Sequence, residues 1–141
     1  MALDLPPIED SDLLGRGVFR SGDAKDARKG IIRHSIFLEK EEVDCLSVDR
    51  LDHAPDEEMA EIGDQNARRR GPTRSFYGWA TVTVANASED GRSVRATPFL
   101  DNPYHADIDL NIPASVERRD VQNAHANSLA IAADWRERPP L

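Results

Sequence analysis

Apolar and polar side chains alternate most clearly in the segment 104–112. Ala106, Ile108, Leu110 and Ile112 alternate there with His105, Asp107, Asp109 and Asn111. Because successive strand residues point to opposite faces, this pattern predicts a strand with one buried and one wet face. A second β pattern covers 75–85, where Ala80, Val82 and Val84 alternate with Trp79, Thr81 and Thr83, and 92–96 is predicted to return as its hairpin partner.

The hydrophobic period changes from two to that of a helix after Pro113. Val121, Ala124, Ser128, Leu129, Ala132 and Trp135 fall on one helical stripe, which predicts a C-terminal helix over roughly 114–136. A shorter helix is predicted over 55–63. Pro55 lies in its first turn, acidic residues follow, and Gly63 can adopt the left-handed conformation that ends a helix.

The first half of the chain contains only short apolar segments. Strands are predicted at 18–20, 35–38 and 46–49, with a loop or weak helical turn over 21–33. Residues 1–13 combine Pro6 and Pro7 with acidic side chains and are expected to form an extended acidic arm.

Strands that mostly precede one long terminal helix indicate an α+β fold. We therefore expect a single domain over 14–138, with a mostly antiparallel sheet and a C-terminal packing helix. The residues predicted to form or border its core are Trp79, Val82, Val84, Ile108, Leu110, Leu129 and Trp135.

Length and composition predict a small protein without a membrane span, a secretory signal or an intrachain disulfide. A chain of 141 residues predicts one domain. No apolar run approaches the ~18 residues of a membrane span, and the first residues lack the pattern of a secretory signal. The single cysteine, Cys45, excludes an intrachain disulfide, and its acidic neighbours predict an unreactive thiol. A cytoplasmic protein is the expectation.

The net charge of −8 is concentrated in the first half. Residues 1–60 carry 15 acidic and 8 basic side chains, whereas residues 61–141 carry 11 and 10. The acidic excess argues against broad nucleic-acid binding and favours a basic protein partner for the first half.

A basic run follows in the second half, formed by Arg68, Arg69, Arg70 and Arg74. Such runs are usually solvated loops, and a contact with phosphate or an acidic partner is the alternative.

Polar residues within and next to the short strands form the candidate site. The predicted ligand-binding residues are Arg20, His34, Ser35, Ser47, Arg50 and Tyr104, and the predicted catalytic residues are Asp49 and His105. Arginine forks and hydroxyls suit a phosphate or a carboxylate, and histidine can transfer a proton. The same residues can instead form a structural network, because buried polar groups require partners.

Two further combinations of polar residues bear on metal binding and on phosphodiester cleavage. His105, Asp107 and Asp109 share a strand face, but a spacing of ~6.8 Å between consecutive members is wide for one ion, and no metal site is predicted. His34 and His105 with Arg20 or Arg50 contain the minimum groups for metal-independent phosphodiester cleavage.

Four segments resemble a group of small uncharacterised bacterial proteins. They are Phe19-Arg20, Ser35-x-Phe37, Leu46-Ser47-Val48-Asp49-Arg50 and Asn102-Pro103-Tyr104-His105-Ala106. The resemblance covers most of residues 18–132 with variable spacers. It implies no particular reaction, but it highlights Arg20, Ser47, Asp49, Arg50 and His105 as a set.

Two functions are compatible with these sequence features. The first is an interaction or accessory module, antitoxin-like or immunity-like, that binds a basic protein through its acidic face and needs no cofactor. The second is a small enzyme that acts on a phosphate-bearing nucleotide such as NAD. An early strand ending in Arg20 resembles the NAD-phosphate arginine of the ADP-ribosyltransferases, although their late-strand glutamate is replaced here by Asp107 or Asp109.

Overall fold

Six strands form one antiparallel sheet in the computed structural model, which describes residues 5–140. The strands are β1 (Leu13–Val18), β2 (Cys45–Arg50), β3 (Gly78–Thr83), β4 (Ser93–Ala96), β5 (His105–Asp109) and β6 (Asp134–Glu137). Their order across the sheet is β4-β5-β2-β1-β3-β6, and every neighbouring pair is antiparallel.

Four helices and two 3₁₀ turns complete the domain. The helices are α1 (Ser21–Arg28), α2 (Asp56–Arg70), α3 (Val84–Ala87) and α4 (Arg118–Ala132), and the 3₁₀ turns cover His34–Phe37 and Leu51–His53. The α+β fold, its single domain and its C-terminal packing helix are thus confirmed. Within residues 5–140, no helix combines the length and the apolar character needed to cross a membrane.

The first face of the sheet carries the larger core. Leu14, Val18, Leu46, Val48, Val82 and Ile108 are buried there with Ile36 and Phe37 of the first 3₁₀ turn and with Ala126 and Leu129 of α4. Strand alternation explains the pattern, because every second residue of each strand turns toward this layer. Burial of these apolar side chains is the main stabilising contribution.

The second face of the sheet is partly covered by α2. Met59, Ile62 and Ala67 of this helix form a smaller core with Phe76 and Trp79. Trp79 lies edge-on to Phe76, with ring centroids 4.8 Å apart. Of the residues predicted to form or border the core, Trp79, Val82, Val84, Ile108, Leu110 and Leu129 are buried and Trp135 is half-buried.

Two predicted elements of the first half are wrong. The segment 35–38 is not a strand, because a strand would place Ile36 and Phe37 on opposite faces, whereas the 3₁₀ turn turns both into one core. The predicted strand 18–20 lies too late in the chain: β1 ends at Val18, and α1 begins at Ser21 where a loop or weak turn was expected. The strand at 46–49 is confirmed as part of β2.

The hairpin and the C-terminal helix also differ from the prediction. Residues 93–96 pair with β5 rather than with β3. Strand β3 ends at Thr83, whose hydroxyl caps α3 by accepting a hydrogen bond from the Asn86 amide. Helix α3 therefore interrupts the predicted hairpin. Helix α4 ends at Ala132, and Trp135 lies on β6 opposite Ala80 instead of on a helical stripe.

The predicted N-terminal arm is only partly described, since residues 1–4 lie outside the described range. The segment before β1 is tied to the domain through its backbone carbonyls. The carbonyl of Pro6 accepts a hydrogen bond from Arg50 at 2.6 Å, and those of Asp10 and Asp12 accept from the amides of Ala85 and Val84.

Helix α2 continues beyond Gly63, where it was predicted to stop. A Cβ atom at Gly63 would lie 2.5 Å from the ring of Phe76. The glycine therefore allows close packing of helix on ring, and it does not terminate the helix. Arg68, Arg69 and Arg70, predicted to lie in a loop, form the last helical turn.

Because of this packing, replacing Gly63 with alanine is expected to destabilise the protein, although alanine favours a helix more than glycine does. In an open helix, Gly→Ala stabilises by about 1 kcal/mol. Gly63→Ala should instead lower the free energy of unfolding by about 1–2 kcal/mol, because the added methyl group overpacks against Phe76. Urea unfolding measures the change. Gly22→Ala in α1, where no atom lies within 4 Å of the new Cβ, is the control; equal stabilisation of both variants would contradict the prediction.

Candidate functional site

A cavity of about 360 Å³ lies between the second face of the sheet and α2. We call it the sheet cavity; its polar lining includes Ser47, Asp49, Asn66, Arg69, Asn102 and His105. Gly15 and Gly17 of β1 also line it. Since a Cβ at Gly15 would lie 2.7 Å from Trp79, the glycine leaves room for the indole beneath the cavity.

Asp49 is the buried carboxylate of this cavity, with 7% of its surface exposed. The Nδ2 atom of Asn102 donates a hydrogen bond to its Oδ1 at 2.8 Å. Burial raises the pKa of the Asp49 carboxyl, and the Asn102 hydrogen bond and the nearby His105 and Arg16 oppose this only in part. Asp49 thus holds its proton more tightly than an ordinary aspartate.

His105 lies directly opposite Asp49 in the β2–β5 register. Its Nδ1 lies 2.7 Å from the Thr97 hydroxyl and 3.1 Å from the Thr97 carbonyl. Both contacts are made by Nδ1, and Nε2 forms no hydrogen bond within residues 5–140. The ring of Phe99 covers the imidazole at a centroid distance of 4.5 Å.

Two arginines of α2 form the opposite wall. Arg69 bonds to the carboxylate of Asp101 at 2.6 Å and so links α2 to the loop that carries Asn102. The guanidinium of Arg70 lies over the ring of Phe19 at 4.6 Å. The cavity therefore combines aromatic surface, two guanidinium groups and the Asp49–His105 pair.

The structure brings three of the predicted site residues into this cavity, namely Ser47, Asp49 and His105. Arg20 and Ser35 line a neighbouring cleft of about 460 Å³, which shares Arg16, Gly17, Phe19 and Arg70 with the sheet cavity. His34 is exposed on the 3₁₀ turn and lines neither space.

Arg50 and Tyr104 are buried away from both spaces. Strand alternation turns Arg50 to the face opposite Asp49, where its guanidinium bonds to the Pro6 carbonyl and lies 3.6 Å from Asp12. The hydroxyl of Tyr104 donates to Glu58 at 2.8 Å, and burial with this carboxylate raises the pKa of Tyr104 to about 12. Both contacts are those of a structural network.

Asp107 and Asp109 are engaged with Arg95 and line neither cavity. No group of three metal-ligating side chains occurs within residues 5–140. The Cys45 thiol has a pKa raised by burial and by Asp107 and Asp109, which disfavours a reactive thiolate.

Sequence reasoning missed Arg16 and undervalued Arg70 as site residues. Arg16 is buried, and its guanidinium bonds to the carbonyls of Ile36 and Ser47 and to Glu39. The alternation of Leu14, Arg16 and Val18 on the buried side of β1 was the available signal, because a charged residue at an inward position demands several partners.

Comparison of the chain with protein-family models, with curated proteins and with solved structures found no match.

Proposed function

We propose that this protein is a small enzyme that acts on a phosphate-bearing nucleotide, with Asp49 and His105 as its acid–base pair. One observation carries the proposal: a buried carboxylate of raised pKa lines a cavity directly opposite a histidine on the neighbouring strand. Perturbed carboxylates in cavities are typical of functional sites, because proton transfer requires a pKa shifted toward the working pH.

The two side chains suit complementary roles. Burial favours the protonated form of Asp49, which can act as an acid toward a leaving group. His105 can act as a base through Nε2, which forms no hydrogen bond within residues 5–140, and the Thr97 contacts at Nδ1 hold its ring in position. Asn102 positions the Asp49 carboxylate through its hydrogen bond to Oδ1.

The cavity walls match the parts of a nucleotide. Phe99, which is 55% exposed, offers a ring on which a base can stack. Arg69 and Arg70 offer guanidinium groups suited to phosphate oxygens. An ADP-ribosyltransferase arrangement has less support, because Asp107 and Asp109, the candidates for its late-strand acid, pair with Arg95 and line neither cavity.

The interaction module with a basic protein partner stays a prediction with weaker support. Several acidic residues of the first half are partnered within the chain. Asp44 pairs with Arg118, and Asp56 pairs with Arg136 at 3.1 Å. These pairs neutralise part of the acidic surface that a basic partner would require.

The variant Asp49→Asn tests the enzyme proposal. The protein is screened against NAD, ATP, ADP-ribose and cyclic nucleotides by thermal shift, and each binder is then assayed for turnover. Asp49→Asn should bind the nucleotide and lose about 10²–10⁴-fold in rate. Asp107→Asn on β5, outside the cavity, is the control and should keep its rate.

The same variant should be more stable than the wild type at high pH. The folded-state pKa of Asp49 is raised, so its stabilising contribution is present at low pH and is lost as the pH rises through that pKa. At pH 8 we expect Asp49→Asn to gain about 1 kcal/mol in the free energy of unfolding, measured with urea.

Unchanged turnover in Asp49→Asn, or the absence of any nucleotide binding by the wild type, would refute the proposed function.

A further inference from the structure

The cleft beside the sheet cavity is strongly basic. We call it the basic cleft; Arg20, Lys40, Arg70, Arg74 and Arg119 line it. They come from the residue before α1, from the end of α2 and the loop after it, from the segment after the first 3₁₀ turn and from the start of α4. Four separate parts of the chain therefore bring positive charge to one concave surface.

Four of the five arginines that line this cleft differ from all the other arginines of the chain. All fifteen arginines lie within residues 5–140, and eleven of them form a salt bridge with a carboxylate of the same range. The other four, Arg20, Arg70, Arg74 and Arg119, all line the basic cleft. With 26 acidic against 18 basic side chains, carboxylates are not scarce in this chain.

The carboxylates that line the basic cleft already lie close to arginines of the same chain. Glu39 pairs with Arg16, and Asp23 lies 3.9 Å from Arg33. Arg119 donates to the Glu39 carbonyl and to Gln122, both neutral acceptors. Partial burial and the neighbouring Arg16, Arg74 and Arg20 lower the pKa of Arg70, as expected where like charges converge. An anion bound here would relieve that repulsion.

We propose that the basic cleft binds the polyphosphate group of the ligand, which makes the substrate class nucleoside di- or triphosphates. Arg20, Arg70, Arg74 and Arg119 with Lys40 supply five positive charges, more than a single phosphate of at most about −2 neutralises. A chain of two or three phosphates matches this charge better. A long polyanion fits less well, since the protein as a whole carries −8.

The junction of the two spaces supports one continuous ligand. Arg16, Gly17, Phe19 and Arg70 line both, so polyphosphate in the basic cleft adjoins a nucleoside in the sheet cavity. This placement of the nucleoside rests on the proposed function, whereas the anion site itself rests only on the arginines.

Calorimetric titration with inorganic tripolyphosphate, pyrophosphate and orthophosphate tests the site. We expect tripolyphosphate to bind tightest, and Arg20→Gln/Arg74→Gln to weaken it at least about tenfold. Both residues are exposed and form no described ion pair, so the variant should fold normally. Arg28→Gln/Arg68→Gln, which removes the same charge outside the cleft, should change the affinity less than about threefold.

The outcomes separate the two proposals. Equal losses in the two double variants, or no binding of tripolyphosphate by the wild type, would overturn the polyphosphate site even if Asp49-dependent turnover were found. If tripolyphosphate binds as expected and nucleoside triphosphates displace it, the substrate class is supported. If tripolyphosphate binds and no nucleotide does, the anion site stands, while the nucleoside placement and the proposed enzyme function fail.

Discussion

Replacing Arg16 with methionine is expected to lower the free energy of unfolding by about 3 kcal/mol. Only 6% of Arg16 is exposed, and its Nε and Nη1 atoms donate to the carbonyls of Ile36 at 3.0 Å and Ser47 at 2.9 Å. Methionine fills similar space but donates nothing, so both carbonyls lose a partner, at about 1–3 kcal/mol each. The half-exposed Glu39 can turn to water and adds little.

The position of Arg16 in the sheet explains why the loss should be large. Strands β1 and β2 pair only at Leu14–Arg50 and Gly15–Asp49. Beyond that point, the guanidinium of Arg16 bonds to the Ser47 carbonyl and joins the two strands. Urea unfolding measures the change, with the exposed Arg20→Met as control, expected within about 0.5 kcal/mol of the wild type. A loss below about 1 kcal/mol in Arg16→Met would contradict this role.

Asn102→Ala should cost about 2–3 kcal/mol at pH 8 and less in acid. The Asn102 side chain donates to Asp49 at 2.8 Å and accepts from the Tyr104 amide at 3.2 Å. Without that donor, the ionised Asp49 is buried with less compensation, which costs more than losing a hydrogen bond between neutral groups. The pKa of Asp49, already raised by burial, should rise further in this variant.

The sign of the pH effect follows from proton binding. The folded variant binds the Asp49 proton more tightly than the unfolded chain does, so stability falls as the pH rises through the folded-state pKa. Urea unfolding at pH 5 and pH 8 should therefore show a larger deficit at pH 8. In an Asp49→Asn background the extra deficit should vanish, and Asn66→Ala, in the same cavity, is the control. A pH-independent deficit would show that Asn102 acts only through the Tyr104 amide.

The parts of the fold that local pattern specifies were predicted from the sequence. Strand β5 and most of β3 follow from two-residue alternation, and α4 follows from its helical stripe. Where two large apolar residues are adjacent, as at Ile36 and Phe37, alternation does not distinguish a strand from a 3₁₀ turn. The strand partner of β4 likewise depends on contacts between distant segments.

The candidate site also depends partly on local sequence and partly on contacts between distant segments. The sequence by itself identified Asp49 and His105, because polar residues in apolar strands require an explanation. Only the tertiary structure decided that they face one another, that Arg50 faces away and that Asn102 binds the carboxylate.

The sequence by itself determined an α+β protein with excess acid and a polar cluster around Asp49 and His105. Only the tertiary structure decided where the charges meet. Arg20, the pair Arg70 and Arg74, and Arg119 lie far apart along the chain, and their neighbours in sequence look like solvated surface. The physical reason is that salt bridges and cavities depend on distances of a few ångströms between remote residues, which only the packing of distant segments sets.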